Sequence, residues 1–267
     1  MDKRLEFVAP LFVPGHRPDR FDKAAASEAD AIILDLEDAV PFDMKRVARR
    51  ELRATFTEKP VLVRINAFGT HWHTEDLAAV LALPITAILL PKAEFGADLL
   101  GLAEAASASG MTIVALIETA RGLAGARDII AVPNVGRLAF GSIDYCADLG
   151  SAHTREALLF ARSELVLATR LAAKTPPIDG VTVRIDDDDA VGGDARHARD
   201  LGFGGKLAIH PRQIGAIRRG FQPDNAEIEW ARKVIGTGDG AVAIDGVMVD
   251  EPVRLRAQSV LRRVGQL

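Results

Sequence analysis

Length, composition and charge narrow the classes of protein that this sequence can encode. Its 267 residues, 48% of them hydrophobic, can bury a substantial core as one large α/β domain or as two smaller domains. A formal net charge of −4 gives no reason to expect nucleic-acid binding, and no apolar run reaches the roughly 18 residues that a membrane helix needs. The single cysteine, Cys146, excludes an internal disulfide and a multi-cysteine metal site. We therefore expect a cytoplasmic protein that binds neither nucleic acid nor membrane, and residues 1–15 do not have the pattern of a signal peptide.

Eight short apolar runs alternate with segments of helical spacing along residues 1–220. The predicted strands are residues 5–13, 31–35, 61–65, 87–90, 113–117, 136–140, 180–183 and 206–209. The predicted helices between them are residues 17–29, 45–56, 71–83, 96–107, a short segment that ends near 130, 154–173 and 186–201. This alternation predicts a TIM (β/α)₈ barrel over residues 1–220. A doubly wound open sheet is the competing arrangement, but no G-x-G-x-x-G turn follows the first strand.

The segment from residue 221 to residue 267 does not continue this alternation. Residues 224–234 have helical spacing, a turn-rich linker follows, and residues 241–249 predict a hairpin around Asp245-Gly246. A terminal helix is expected over residues 252–264. This C-terminal helix–hairpin–helix extension is too small to fold alone, so we expect it to pack on the barrel or on a neighbouring subunit.

Polar residues follow five of the predicted strands at the point where each strand ends. They are Asp35, Glu37, Asp38, Arg64, Asn66, Lys92, Glu118 and Asp144. In a barrel the carboxyl ends of all the strands meet at one rim, where active sites are built. The sequence therefore predicts an active site at this rim.

Glu118 and Asp144 form a pair of acids at neighbouring strand ends, with no histidine or cysteine placed beside them. Two hard oxygen ligands suit Mg²⁺, which usually takes one or two carboxylates together with water and substrate oxygens. Zinc would call for nitrogen or sulfur ligands. The alternative is that nearby arginines such as Arg121 or Arg137 neutralise the two acids.

Arg64 lies inside the apolar segment VLVRIN, where an unpaired guanidinium would be costly to bury. Its partner can be an acid of the neighbouring strand, Asp35 or Glu37. It can also be a substrate carboxylate or carbonyl, which the planar guanidinium binds through two hydrogen bonds. Asp38 is expected to cap a helix that begins near Asp43 and to take no part in chemistry.

Seven motifs, in chain order, resemble those of a known family. They are FVPGHRPDRF, AIILDLEDAV, VLVRINAFGT, ILLPKAE, ALIETARG, LAIHPRQI and GVMVDEPV. The chain is similar to the citrate lyase β-subunit-like proteins, within the HpcH/HpaI group of metal-dependent aldolases and CoA-ester lyases. The resemblance covers nearly the whole chain. It implies a TIM barrel, a homotrimer or a hexamer of trimers, and Mg²⁺ at the rim.

The resemblance also implies roles for residues of the rim. Glu118 of ALIET and Asp144 of FGSID would hold the metal, and Glu118 would thereby contact the substrate. Arg64 of VRIN would bind the oxoacid or the developing enolate. Glu37 of LDLED would position or polarise the reacting groups.

Two further roles are carried over from motifs outside the strand ends. Asp250 of MVDEP would enter a neighbouring subunit's site as an acid or base, which would explain why the extension does not belong to the barrel. Arg17 of PGHRPDR would approach a CoA phosphate. In one respect the sequence departs from the family pattern, because Ile143 stands before Asp144 where many members have an acid.

The implied activity is Mg²⁺-dependent cleavage of a carbon–carbon bond in a 3-hydroxyacyl-CoA thioester of the malyl-CoA, citramalyl-CoA or citryl-CoA type. The products would be acetyl-CoA and an oxoacid, either oxaloacetate, glyoxylate or pyruvate. Three alternatives remain at this point. They are a malyl-CoA-type thioesterase, a citryl-processing subunit of a multi-subunit lyase that uses an acyl-carrier protein, and a non-catalytic barrel subunit.

Overall fold

Eight parallel strands pair in chain order, as a TIM barrel requires. The structure, a computed structural model, describes residues 2–238, 240–244 and 246–267. The strands are β1 (Pro10–Pro14), β2 (Ala31–Asp35), β3 (Val61–Arg64), β4 (Ala87–Leu90), β5 (Thr112–Ile117), β6 (Val135–Phe140), β7 (Ile178–Asp179) and β8 (Gly205–Lys206). Each strand hydrogen-bonds to the next with parallel register. The predicted (β/α)₈ fold is confirmed.

Backbone hydrogen bonds join the last strand region to the first. The Lys206 N–H donates to the Val8 carbonyl at 2.8 Å, and the Phe12 N–H donates to the Ala208 carbonyl at 2.9 Å. Leu11 and Ala208 also form a parallel bridge. Because β8 is thereby placed against β1, the strands enclose a central space.

Alternate residues of the strands fill that space. Ile33, Leu89 and Leu116 belong to one buried cluster. Strands β2 to β7 contribute residues to this cluster directly, and Leu207, which follows β8, is also a member. The intervening residues face the surrounding helices, so β2 and β5 are buried at every position. Burial on both faces explains why the strands appear in the sequence as continuous apolar runs.

Helices follow the strands around the barrel. They are α1 (Phe21–Ala25), α2 (Lys45–Arg50), α3 (His73–Leu81), α4 (Ala97–Ala108), α5 (Ala120–Ala124), α6 (Ala126–Ala131), α7 (Ser142–Leu149), α8 (Leu159–Leu171), α9 (Asp188–Leu201) and α10 (Gln213–Phe221). Helix α2 ends earlier than predicted, and the Phe56 ring beyond it packs 5.3 Å from the Phe21 ring. No helix among the described residues has the length and apolar character needed to cross a bilayer.

The last two strands lie earlier in the chain than their apolar runs predict. The seventh strand was predicted at residues 180–183, but Val181 lies beyond β7 and Val183 is exposed. The register explains the difference, because Ile178 pairs with Ala139 and Gly205. Helix α7 was not predicted, and it begins two residues after β6 ends.

The chain divides into two compact units, Met1–Arg218 and Arg219–Leu267. The second contains α11 (Asn225–Ile235), the antiparallel strands β9 (Val242–Ile244) and β10 (Val247–Val249), and α12 (Glu251–Arg263). Its helices pack around a small core that includes Ala231 and Ala257. The two strands agree with the predicted hairpin, although Asp245 of its turn lies outside the described residues.

Candidate active site

The carboxyl ends of the strands surround a cavity of about 210 Å³. It is lined by Phe12, Asp35, Asp38, Ala39, Arg64, Leu116, Glu118, Phe140, Gly141, Ser142, Ile143, Asp144, Val181, Leu207 and Ile209. Of the residues singled out from the sequence, Arg64, Glu118 and Asp144 therefore lie around one space. Glu37 does not line the cavity, but its carboxylate forms an ion pair with the Arg64 guanidinium.

Arg64, the last residue of β3, is held by acids at the end of β2 and just after it. Its Nε and Nη2 donate to the two carboxylate oxygens of Asp35 at 2.7 and 2.6 Å. Asp35 is fully buried, which opposes its ionisation, but the Arg64 guanidinium outweighs burial and lowers the pKa of Asp35. The guanidinium also lies over the Phe12 ring, 4.9 Å from its centroid. These contacts fix the plane of the guanidinium at the cavity wall.

Glu37 lies between two cations. Its Oε2 is 2.9 Å from the Arg64 Nη1, an ion pair that is not aligned as a hydrogen bond. Its Oε1 accepts a hydrogen bond from the Lys92 Nζ at 2.9 Å. Burial raises the pKa of Glu37 despite the charge of Arg64. Glu37 is thus a buried carboxylate with greater proton affinity than an exposed one.

The sequence placed Lys92 at the rim but did not predict its contacts there. It follows β4 and has a backbone φ of 47°, in the left-handed region that side-chain-bearing residues rarely adopt. In this conformation its backbone N–H donates to the Glu118 Oε1 at 2.8 Å, while its Nζ lies 3.7 Å from the same oxygen. Its position at a strand end, in the motif ILLPKAE, was the available signal.

Glu118 directly follows β5 and is only 2% exposed. Burial, and then the charge of Glu37, raise its pKa to about 8, and Asp144 adds to the effect. Gly141 makes room for this side chain, because a Cβ atom at Gly141 would lie 2.3 Å from the Glu118 Oε2. The negative charges of Glu37 and Asp144 thus act on Glu118 together with the positive charge of the Lys92 ammonium, and a further cation beside Glu118 and Asp144 would be stabilised.

Asp144 lies in the first turn of α7, not in a loop at the end of β6. Ser142 starts this helix, and its Oγ is 2.9 Å from the His153 Nε2. Gly180 faces Ser142 closely, since an added Cβ there would lie 2.3 Å from the Ser142 Oγ. The hydrogen bond and the close packing set the position of the turn that carries Asp144.

The donor set at this place fits Mg²⁺. Glu118 and Asp144 offer carboxylate oxygens, and no group of three or more His, Cys, Asp or Glu side chains among the described residues is arranged to hold a metal ion. Mg²⁺ commonly uses one or two carboxylates and completes its coordination with water and substrate oxygens. The chemistry of the donor set supports the fit, because two carboxylates at one cavity supply the hard oxygen ligands that Mg²⁺ prefers.

Arg137 is engaged by backbone carbonyls and not by these two acids. Arg137, considered from the sequence as a partner, donates instead to the carbonyls of Phe7 at 2.8 Å and Pro176 at 2.7 Å.

Asp38 was expected to cap a helix, but the 3-10 helix Phe42–Met44 begins after Pro41. Asp38 is largely exposed, and its Oδ2 lies 3.5 Å from the Arg64 Nη1.

Besides Glu37, two predicted site residues lie outside the cavity lining. Arg17, on the segment after β1, forms an exposed ion pair with Asp19 at 2.8 Å. Asp250, in the second compact unit, caps α12 and accepts the Val253 N–H at 3.4 Å. Their contacts with CoA and with a neighbouring subunit stay predictions.

Lys45 stabilises the backbone of the site, a role that the sequence did not predict. Its Nζ donates to the carbonyls of Leu36 and Glu37, both at 2.7 Å, and to the Asn66 Oδ1 at 2.9 Å. The ammonium thereby connects the segments after β2 and β3. It fixes the backbone that presents Glu37.

Comparisons with known proteins find relatives along nearly the whole chain. The family model described as HpcH/HpaI aldolase/citrate lyase matches residues 9–211. A citrate lyase subunit beta-like protein of Mycobacterium tuberculosis is 38% identical over 96% of this chain and 95% of that protein. A (3S)-malyl-CoA thioesterase of Cereibacter sphaeroides is 34% identical over 96% of this chain and 94% of that protein.

A solved structure is also similar along its whole length. The crystal structure of CitE from Mycobacterium tuberculosis, in complex with magnesium, acetoacetate and coenzyme A, has a TM-score of 0.88 at 36% identity. The match covers 98% of this chain and 99% of that chain. The resemblance inferred from the motifs is confirmed, and this chain belongs to the HpcH/HpaI aldolase/citrate lyase family.

Proposed function

We propose that the chain is a Mg²⁺-dependent carbon–carbon lyase that cleaves a 3-hydroxyacyl-CoA thioester into acetyl-CoA and an oxoacid. The observation that carries the proposal is the cavity itself, in which Arg64 faces the same space as the two acids Glu118 and Asp144. The family supports the reaction class, and a relative crystallised with magnesium, acetoacetate and coenzyme A supports the choice of metal and substrates.

Glu118 and Asp144 would hold the metal, which when bound would act as a Lewis acid toward the oxygens of the oxoacid part of the substrate. Arg64 supplies the second positive charge. Asp35 engages two of its five N–H donors in hydrogen bonds, and Glu37 forms an ion pair with Nη1, which leaves the remaining N–H groups for a substrate carboxylate or a developing enolate oxygen. Donors fixed in advance of the reaction stabilise developing charge without reorganisation.

Proton transfer is assigned to two carboxylates. A carboxylate base would accept the proton of the substrate hydroxyl as the bond between the two carbons breaks. The electron pair of that bond passes to the thioester as an enolate. Glu37, which forms an ion pair with Arg64, would position or polarise the reacting groups. Asp250 of a neighbouring subunit would then protonate the enolate carbon, giving acetyl-CoA.

This assignment requires a homo-oligomer, which we propose to be a trimer or a hexamer of trimers. Arg17 would bind a phosphate of CoA, since its side chain is half exposed on the segment after β1. We place the protein in the cytoplasm, where the free thiol of Cys146 would stay reduced.

Product analysis tests the proposal directly. The purified protein is incubated with malyl-CoA, citramalyl-CoA and citryl-CoA, with Mg²⁺ or with EDTA, and the products are identified by mass spectrometry. A lyase releases equal amounts of acetyl-CoA and an oxoacid, and only with Mg²⁺. Cleavage that proceeds equally in EDTA would contradict the proposal.

A thioesterase is the second candidate, because the relative from Cereibacter sphaeroides is named for that activity. The same site would then deliver water to the thioester carbonyl. Its products are free CoA and the intact hydroxyacid, so the same assay separates the two activities. Activity of the isolated chain on CoA esters would argue against a subunit that depends on an acyl-carrier protein. Turnover of any of these esters would exclude a non-catalytic subunit.

A further inference from the structure

Four carboxylates line the cavity among the described residues, and three of them have other assignments. The four are Asp35, Asp38, Glu118 and Asp144. Asp35 is fully buried, and both of its oxygens accept hydrogen bonds, from the Arg64 guanidinium and from two backbone N–H groups of the turn that follows. The last two of the four are the proposed metal ligands. Asp38 is therefore the lining carboxylate that stays available for another task.

The Asp38 carboxylate is open to an approaching molecule. Its side chain is 58% exposed, and it accepts no hydrogen bond from the part of the chain that the structure describes. The Arg64 Nη1 lies 3.5 Å from its Oδ2, and this nitrogen is not aligned to donate to Glu37. Two atoms at this separation can both hydrogen-bond to one oxygen placed beside them, since each bond needs only about 2.8 Å. A substrate hydroxyl held by Arg64 would therefore also reach Asp38.

The backbone that carries Asp38 is fixed, although the side chain is exposed. The Lys45 ammonium donates to the carbonyl of Glu37, directly before Asp38, at 2.7 Å. The N–H of Ala39, directly after it, donates to the Asp35 Oδ2 at 3.0 Å. Hydrogen bonds on both sides of Asp38 thus hold its backbone in place. A proton acceptor is thereby positioned before a substrate binds.

We propose that Asp38 is the base that removes the proton of the substrate hydroxyl, an inference that rests on the proposed lyase function. The O–H bond breaks, the proton passes to the Asp38 carboxylate, and the electron pair of that bond forms the carbonyl of the oxoacid. The carbon–carbon bond breaks, and its electron pair passes to the thioester as the enolate that Asp250 of a neighbouring subunit would protonate. Because the Asp38 side chain is exposed, it can then release its proton to water.

Asp38→Asn tests the assignment, because it keeps the size of the side chain and removes the proton acceptor. The kcat for thioester cleavage should fall at least about 100-fold. The KM for the same thioester should rise by no more than about threefold, and so should the Kd for Mg²⁺ in calorimetric titration, because neither depends on this base.

Asp43→Asn is the matched control. It removes the same charge from an exposed side chain of the same segment that does not line the cavity. The kcat of this variant should stay within about twofold of the wild-type value, because a surface charge contributes little.

Chemical rescue separates a proton acceptor from a residue that only shapes the site. Asp38→Ala leaves space where the carboxylate was, and added formate, a small carboxylate, should raise its kcat at least about fivefold. Chloride at the same ionic strength should not raise it. Asp38→Asn should not respond to formate, because its amide fills the space.

The outcomes separate this inference from the function on which it rests. Near wild-type kcat in Asp38→Asn would overturn the inference and leave the lyase function standing. Loss of Mg²⁺ binding in Asp38→Asn, or a fall in kcat that formate does not rescue in Asp38→Ala, would show that Asp38 acts on the structure of the site, and would also overturn it. A wild-type protein that breaks no carbon–carbon bond in any of the thioesters would contradict both.

Discussion

In the metal-free protein, the Glu118 carboxylate should lower the free energy of unfolding at high pH. Glu118→Gln should remove this loss. Burial and the charge of Glu37 raise the pKa of Glu118 from 4.5 to about 8. Because the folded protein then binds this proton more tightly than the unfolded chain, the free energy of unfolding decreases as pH rises from about 4.5 to about 8. The stabilising contribution is fully present below the lower of these values.

The size of the effect follows from the difference between the two pKa values, about 3.5. One pKa unit corresponds to about 1.4 kcal/mol, which gives an upper limit of about 5 kcal/mol. We expect a loss of about 2–5 kcal/mol in the wild-type protein between pH 5 and pH 9 from this group. Glutamine keeps an acceptor for the Lys92 N–H, which donates to the Glu118 Oε1 at 2.8 Å, so the variant should fold.

Urea unfolding of the EDTA-treated wild-type protein and of Glu118→Gln at pH 5 and pH 9 measures this difference. The free energy of unfolding should fall more steeply with pH in the wild type than in the variant. Added Mg²⁺ should restore stability at pH 9 to the wild type and not to the variant, because a ligand stabilises the state that binds it. Parallel pH profiles of the two proteins would refute the reasoning.

Three further substitutions test other parts of the site. Gly141→Ala should displace Glu118, because the new Cβ would lie 2.3 Å from its Oε2, and activity should fall at least about 100-fold. Gly101→Ala is the control, because a Cβ added there would have no atom within 4 Å. In circular-dichroism melts this control should be neutral or stabilising by about 0.5–1 kcal/mol. Arg64→Ala should lower kcat at least about 100-fold, because a fixed positive charge at the cavity is lost. It should also lower the free energy of unfolding by about 3–5 kcal/mol, because its aspartate partner stays buried and unpaired. Wild-type turnover in steady-state kinetics would contradict the role of Arg64. Asp250→Ala should be nearly inactive. If Asp250 acts in a neighbouring subunit, oligomers that mix Asp250→Ala and Arg64→Ala subunits should regain activity. No gain of activity in oligomers shown to be mixed would argue against that role.

The barrel was predictable because its strands are buried on both faces. Such strands form continuous apolar runs, as in residues 31–35 and 112–117, and each run ends where polar residues reach the rim. The pairing of Arg64 with Asp35 also followed from the sequence, since a guanidinium in an apolar strand requires an acid nearby. These predictions needed only local pattern and the general geometry of parallel strands.

Features that depend on contacts between distant segments were not predictable. The seventh strand lies at Ile178–Asp179 because its neighbours set the register, while Val181 after it lines the cavity and Val183 is exposed. The role of Lys92 depends on a backbone φ of 47° and on two glutamates 55 and 26 residues away in sequence. Lys45 looks like a surface lysine of a helix in the sequence, but its ammonium is buried among three oxygen atoms.

Direct measurement of Mg²⁺ binding tests the central claim, that Glu118 and Asp144 together hold one divalent ion at the cavity that Arg64 faces. Isothermal titration calorimetry of the metal-free wild-type protein should show one Mg²⁺ bound per chain, and Asp144→Asn should lose that binding while keeping the wild-type circular-dichroism spectrum. Wild-type Mg²⁺ affinity in Asp144→Asn, or no Mg²⁺ binding to the wild-type protein, would contradict the account.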